Sequence, residues 1–262
     1  MSTPAFDPQH IARQALACLD LTSLNDADTE ADVVALCARA QSRHGPVAAV
    51  CVWPRFAARA RRELPAHIAV AAVANFPDGG ADVERALRDT RAIVEAGAQE
   101  VDVVLPYRRL QQGDDAAVVQ LLQAVRAACS GLTLKVILET GVLADDALIA
   151  RAAQLSLEAG ADFLKTSTGK TPVSATPQAA RVMLSRIAAA DAQTAAQVGF
   201  KASGGIRTVA DAAVYLGLCE QALGPGAVRP GRMRIGASGL LNDIESVLGG
   251  GTPPSMPKPG SY

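Results

Sequence analysis

Short β-branched or apolar runs recur along the chain, each separated from the next by a longer stretch with helical patterning. The runs are 16–22 (LACLDLT), 47–53 (VAAVCVW), 67–76 (HIAVAAVANF), 99–106 (QEVDVVLP), 132–140 (LTLKVILET), 161–167 (ADFLKTS), 198–204 (VGFKASG) and 232–238 (RMRIGAS). Eight buried-looking strands alternating with helices imply a parallel sheet covered by those helices. Two helical stretches, 81–97 and 144–160, both end in Glu-Ala-Gly-Ala and lead straight into a strand. Gly97 and Gly160 fall where a helix stops on a left-handed residue, so the chain repeats one βα module. Eight modules in about 250 residues is the arithmetic of a single-domain TIM (β/α)8 barrel. A doubly wound open sheet is the rival, but no G-x-G-x-x-G follows the first strand and eight strands would be many for it. The expected division is a barrel with an N-terminal helix over 1–248. A Gly- and Pro-rich flexible tail is expected over 249–262.

Composition removes several function classes. Apolar residues make up 49% of the 262, enough for a substantial core, and the net charge of -1 leaves no footprint for nucleic acid or an anionic membrane. The chain has no 18-residue apolar run and no basic-then-apolar leader at its start, so neither a membrane span nor a secretory signal is expected. Five scattered cysteines without a C-x-x-C read as reduced thiols in a cytoplasm.

In a barrel of this kind chemistry sits at the C-terminal ends of the strands. The polar residues expected there are Asp20 and Thr22, Cys51, Asn75, Asp102, Lys135 with Glu139, Lys165 with Thr168, Lys201 with Ser203, and Ser238. Alternation places Lys135 and Glu139 on one strand face. Three lysines on three apolar strands are unusual, because lysine is rarely buried unless paired. Each could simply pair with a carboxylate in the barrel mouth, but charges clustered in this way favour a catalytic role. None of the three histidines (His10, His44, His67) has a metal-ligand spacing or a strand's C-terminal end. A zinc enzyme and a Ser-His-Asp hydrolase are therefore disfavoured, a carboxylate-bound Mg²⁺ less firmly so. A lysine nucleophile remains. Free lysine is protonated at neutral pH, and burial or a second ammonium favours the neutral amine that attacks a carbonyl. Lys165 and Lys201 lie at equivalent depths on adjacent strands, and an acid such as Asp102 is needed to move protons on and off carbon.

A second question is whether the chain binds phosphate. The segment Ser167-Thr-Gly-Lys-Thr171 looks like the end of a P-loop, but the Walker pattern needs Gly at 164, where this chain has Leu164. A distributed site is better supported: Gly204-Gly-Ile-Arg207 after strand 7 and Gly236-Ala-Ser-Gly239 after strand 8. Barrels commonly bind phosphate at these turns, where small residues let backbone N–H groups approach the oxyanion. Tight packing is the bland account of the same glycines. Lys170 adds a cation on the loop after strand 6, or is a plain surface lysine.

The segments EVDVVLPY (100–107), LKVILETG (134–141), AGADFLKTSTGK (159–170), GFKASGGIR (199–207) and DLTSLN (20–25) closely resemble class I 2-deoxy-D-ribose-5-phosphate aldolases. The similarity runs from about Leu16 to Leu241. It implies a TIM barrel that reversibly cleaves 2-deoxy-D-ribose 5-phosphate to acetaldehyde and D-glyceraldehyde 3-phosphate in deoxyribonucleoside catabolism. It implies no metal and no organic cofactor, with small sugar phosphates and aldehydes as partners, and a homo-oligomer, a dimer first. By position, Lys165 would form the Schiff base, Lys201 would perturb its pKa and Asp102 would relay protons. Thr168, Gly169, Lys170, Gly204, Gly205, Gly236, Ser238 and Gly239 would line the phosphate and substrate end. Asp20 and Lys135 would complete the charged network, and Thr22 would lie near a substrate hydroxyl. Cys51 matches a family cysteine close enough to react with unsaturated aldehydes, and Tyr262 matches a C-terminal tyrosine that reaches the site in some members.

Two departures stand out. Many members have two serines where this chain has Ser238-Gly239, which implies a weaker phosphate grip. The stretch 217–234 is read as a loop rich in Pro and Gly, and it pairs only loosely with the family. Two alternatives stay open: a Schiff-base barrel acting on another sugar phosphate, and a catalytically silent barrel that only binds phosphometabolites.

Overall fold

The structure, a computed structural model, describes residues 7–250. Eight strands are laid down in chain order: β1 (Leu19–Thr22), β2 (Ala49–Val52), β3 (Ala69–Ala74), β4 (Glu100–Val104), β5 (Thr133–Ile137), β6 (Phe163–Lys165), β7 (Gly199–Ser203) and β8 (Met233–Ala237). Each pairs in parallel with the next, and β8 closes onto β1, so the sheet is a barrel without edges. Helix α1 (Pro8–Ala17) precedes the barrel. One long helix then follows each strand: α2 (Glu30–Arg39), α3 (Pro54–Glu63), α4 (Val83–Glu95), α5 (Asp115–Ala128), α6 (Asp146–Glu158), α7 (Pro177–Ala188), α8 (Val209–Leu223) and α9 (Leu240–Leu248). The barrel expected from the alternation is the fold observed, and each strand falls within its predicted run.

Local signals explain the boundaries. Asp82, Asp145 and Thr176 accept backbone N–H groups at the starts of α4, α6 and α7, and Thr208 with Asp211 forms a reciprocal capping box on α8. After α4 and α6 the repeated Glu-Ala-Gly-Ala does the same work twice. Gly97 and Gly160 take φ of 75° and 81°, and the following alanine N–H bonds back to Ile93 and Ser156.

Three features differ from the sequence expectation. A two-residue hairpin joins 41–42 to 45–46, and short helices form at Tyr107–Gln111, Thr140–Leu143 and Ala192–Gln197. The segment from Gly217 is helical as far as Leu223, because its spacing of apolar residues continues α8, and the loop begins only at Gly224. Glu139 is not on the strand face of Lys135. Strand β5 ends at Ile137, and Glu139 turns into the left-handed region at φ 55° to start the next short helix. The tail beyond residue 250, including Tyr262, lies outside the described residues.

Alternation along each strand sends one set of side chains to the helices and the other to the barrel axis. Val101, Val103, Leu134, Val136, Leu164 and Phe200 form part of the fully buried apolar layer under the helices. On the other parity lie Asp20, Glu100, Asp102, Lys135, Lys165, Lys201 and Arg234, all buried. Barrel interiors are ordinarily filled with branched aliphatics. Here much of the axis is charged.

Strand β7 starts at a tightly packed point of the interior. A Cβ on Gly199 would sit 2.3 Å from the Phe163 ring, whereas one on Gly217, within α8, would meet nothing within 4 Å. Gly199→Ala is expected to destabilise the fold by about 1–3 kcal/mol through overpacking. Gly217→Ala is expected to stabilise it by roughly 0.5–1 kcal/mol through helix propensity. Urea midpoints of the two variants, which should move in opposite directions, check both.

Candidate active site

The site grows from strand register. Lys165 on β6 lies beside Lys201 on β7, which lies beside Arg234 on β8; Asp102 on β4 lies beside Lys135 on β5. These positions share one parity, so the side chains converge at the axis. Asp102 is the hub. Its Oδ1 accepts from Lys135 Nζ at 2.8 Å, and its Oδ2 accepts from Lys165 Nζ at 2.8 Å and Lys201 Nζ at 2.7 Å.

Followed outward, the contacts close into a loop. Lys201 also donates to Asp20 Oδ2, and Asp20 Oδ1 accepts from Arg234 Nη1 at 2.6 Å. Arg234 Nη2 donates to Glu100 Oε1 at 2.7 Å, and Lys135 Nζ donates to Glu100 Oε2 and to Asp102. Asp102, Lys201, Asp20, Arg234, Glu100 and Lys135 therefore form a ring of alternating sign, three carboxylates against three cations. Lys165 hangs outside it, joined to Asp102 alone among the carboxylates.

That arrangement decides who keeps a proton. In a dry interior a charge is costly unless opposed. Lys135 and Lys201, each touching at least two carboxylates, overcome burial and have raised pKa values. For Lys165 burial is the largest influence. Asp102 works against it, and the Lys201 ammonium adds to it, so the amine is held below the usual lysine value. Asp102 has the opposite outcome: burial opposes its charge, but Lys135, Lys165 and Lys201 together hold the carboxyl well below the ordinary range. Asp20 is lowered in the same way by Lys201 and Arg234.

Above the ring a cavity of about 510 Å³ opens at the C-terminal ends of β6, β7, β8 and β1. Thr22, Thr168, Gly169, Lys170, Gly204, Gly205, Gly236, Ser238 and Gly239 all line it. Gly169, Gly204 and Gly205 take φ of 79°, 89° and 80°, a backbone that other residues rarely adopt, so these turns need glycine. Gly236 joins the two levels: a Cβ there would lie 2.6 Å from Ser203 Oγ and 3.0 Å from Lys201 Cε. No side chain caps the start of α9 at Gly239; Asn242 N–H already donates to the Gly239 carbonyl at 3.2 Å, so what the helix start offers the cavity comes from the N–H groups before it.

Glu139 serves this upper level instead of the lysines. It accepts from Thr168 N at 3.3 Å and Thr171 Oγ1 at 3.2 Å, and so braces the loop that presents Gly169 and Lys170. Cys51 is fully buried at the ring, its Sγ 4.0 Å from Asp102 Oδ2, and burial together with that carboxylate raises its thiol pKa. Thr22 bonds back to the Asp20 carbonyl at 2.8 Å and stands at the cavity edge.

The structure thus brings the predicted site residues within the described part of the chain to the ring, to the cavity or, for Glu139, to the loop that lines it. The exception is Asn75, whose Nδ2 donates instead to the Gly80 and Val104 carbonyls. Arg207, the last residue of the predicted Gly204–Arg207 turn, lines the cavity as well. Two residues that sequence reasoning missed, Glu100 and Arg234, complete the ring. Parity was the available signal: Glu100 precedes Asp102 by two, and Arg234 precedes Gly236 by two.

Comparison with known proteins agrees with this architecture. The family model described as DeoC/LacD family aldolase matches residues 14–243. A deoxyribose-phosphate aldolase of Agrobacterium fabrum (strain C58 / ATCC 33970) is 46% identical over 249 residues, covering 94% of this chain and 95% of that protein. Among solved structures, a deoxyribose phosphate aldolase from Aeropyrum pernix, described as a unique tetramer, shares 29% identity with a TM-score of 0.71 over 92% of each chain. Another, described as QR15, an aldolase, shares 26% identity with a TM-score of 0.76 over 90% of this chain and 96% of its own. A match over nearly the whole barrel, with a relative at 46% identity, shows that the chain belongs to the DeoC/LacD aldolase family.

Proposed function

We propose that the chain is a Schiff-base aldolase that reversibly cleaves 2-deoxy-D-ribose 5-phosphate to acetaldehyde and D-glyceraldehyde 3-phosphate. One observation carries the mechanism: Lys165 is the single amine left over from a charge-balanced ring, held below the usual lysine value beneath a glycine-lined cavity.

The open-chain sugar phosphate carries an aldehyde at C1. The neutral Lys165 amine attacks it, and loss of water gives an iminium. A base removes the C3 hydroxyl proton, the C2–C3 bond breaks, and its electron pair moves into the iminium as an enamine. Glyceraldehyde 3-phosphate leaves. Protonation of the enamine carbon and hydrolysis of the new iminium release acetaldehyde and restore Lys165. Asp102 is held ionised, so it can pass protons on without retaining them, and the Lys201 ammonium 2.7 Å away keeps its own and supplies positive charge.

The phosphate end is assigned to Gly169, Lys170, Gly204, Gly205, Arg207, Gly236, Ser238 and Gly239. What supports it is the conjunction of left-handed glycines, an uncapped helix start and two exposed cations around one cavity. Thr22, at the cavity edge, is assigned to a substrate hydroxyl, and Cys51, 4.0 Å from Asp102, to the surroundings of the reacting carbon. This chemistry uses an amine, a carboxylate and water, consistent with the expectation of no metal and no organic cofactor. Among the described residues no helix is long and apolar enough to cross a membrane. A homo-oligomer, a dimer first, is the expected assembly, and light scattering on the full chain that returned a monomer mass would overturn it.

Borohydride added with substrate should fix an adduct on Lys165, read by peptide mass, and Lys165→Met should abolish both adduct and turnover. An adduct on any other lysine overturns the assignment. Because the Lys165 pKa is lowered, kcat/KM should rise with pH along an acid limb whose midpoint lies below the usual lysine value. A second expectation concerns position 239, where φ is -95° and a Cβ would meet nothing within 4 Å. Gly239→Ser therefore fits without strain and adds a hydroxyl donor beside the helix start. KM for the phosphorylated sugar should fall several-fold, as one hydrogen bond to a charged group allows. Activity on unphosphorylated deoxyribose should stay the same.

A further inference from the structure

The lower half of the ring lies away from the cavity and does not touch the reacting atoms. Arg234 is anchored on three sides: Nε donates to the Pro230 carbonyl at 2.6 Å, the two terminal nitrogens grip Asp20 and Glu100, and the guanidinium lies 5.6 Å from the centre of the Phe163 ring. Glu100 is 3% exposed, and its carboxylate is divided between Arg234 and Lys135. We propose that Arg234 and Glu100 are positioning residues that fix the net charge of the ring, so that Lys165 is the one amine without a counter-charge of its own.

Charge balance carries the inference, which rests on the reading of Lys165 as nucleophile. The titratable groups facing this interior are Asp20 from β1, Cys51 from β2, Glu100 and Asp102 from β4, Lys135 from β5, Lys165 from β6, Lys201 from β7 and Arg234 from β8. Strand β3, Ala-Val-Ala-Ala-Val-Ala, supplies none, and Cys18, just before β1, has its thiol pushed up to about 12 by burial. With the thiols neutral, three carboxylates face four cations, so neutrality requires one cation to shed its proton. Arginine does not do so. Lys135 and Lys201 are each shared by two or more carboxylates, whereas Lys165 has only one, which it shares with both other lysines.

Two neighbours in direct contact should then act on Lys165 with opposite sign. Glu100→Gln removes one negative charge at constant shape, leaving the interior too positive. Lys165 should release its proton more readily, and the acid limb of kcat/KM should move to lower pH. Arg234→Met removes one positive charge, so Lys165 should retain its proton, and the limb should move to higher pH. Each shift is expected to be about one pH unit, a tenfold change in neutral amine at fixed pH. The double variant Glu100→Gln/Arg234→Met restores neutrality and should bring the limb back to its original position, as should the conservative Arg234→Lys.

The experiment is a pH profile of kcat/KM for the intact chain and these variants, with borohydride trapping at each pH and circular dichroism as a fold check. Opposite shifts that cancel in the double variant support the proposal. Shifts of the same sign, no shift, or a double variant that fails to return overturn it, because damage to packing adds and does not cancel. If Arg234→Met does not fold, Arg234→Gln takes its place in the single and double variants, and Glu100→Gln alone still decides: a limb that fails to move to lower pH overturns the proposal. Trapping on a lysine other than Lys165 in the unsubstituted protein would instead overturn the functional reading itself.

Discussion

One carboxylate, Asp102, touches three lysine ammonium positions at once, and much of the barrel interior is organised by that contact. Burying a carboxylate alone would cost several kcal/mol, and so would burying any of the lysines. Their mutual satisfaction makes the interior tolerable, and it holds only if each side chain arrives from its own strand at the right height. Closed register supplies this. Breaking any member of such a group strands its partners without water, which is why buried ion pairs are far more costly to disrupt than to replace as a whole.

The site has two levels with different physics. The lower level is dry and fixed by charge, so its polar groups are already aimed before substrate arrives, and no reorganisation is needed as charge develops. The upper level is open, built from turns whose backbone is held by glycine, and suited to a strongly hydrated anion. Binding energy gathered there can orient the carbonyl over the amine, which converts remote contact into rate. Glu139 and Thr168 link the levels mechanically, since the loop they brace begins three residues after Lys165.

Much of this was legible in the sequence. The fold followed from eight apolar runs and the doubled Glu-Ala-Gly-Ala stop, because periodicity and helix termination are local properties. Lys165, Lys201 and Asp102 stood out as charges on apolar strands. What escaped depended on the partner strand or on one dihedral. Arg234 and Glu100 sit towards the strand starts, where a reader who looks only at C-terminal ends does not search. Glu139 was misplaced because alternation was carried two residues past the end of β5, where the chain had already left the strand. The helical continuation from Gly217 to Leu223 was masked by the glycines and prolines just beyond it.

The register that sets Lys165 beside Lys201 has a consequence for how such a chain can vary. A strand's side chains alternate between axis and helix layer, so losing or gaining one residue inside β6 would turn the lysine towards the helices and push Leu164 or Thr166 into the charged interior. Substitutions on these strands can be graded in severity, but single-residue insertions and deletions cannot. Length variation is therefore confined to the connections, such as the loop after Gly224, while the eight strands behave as a fixed frame whose counting must be kept.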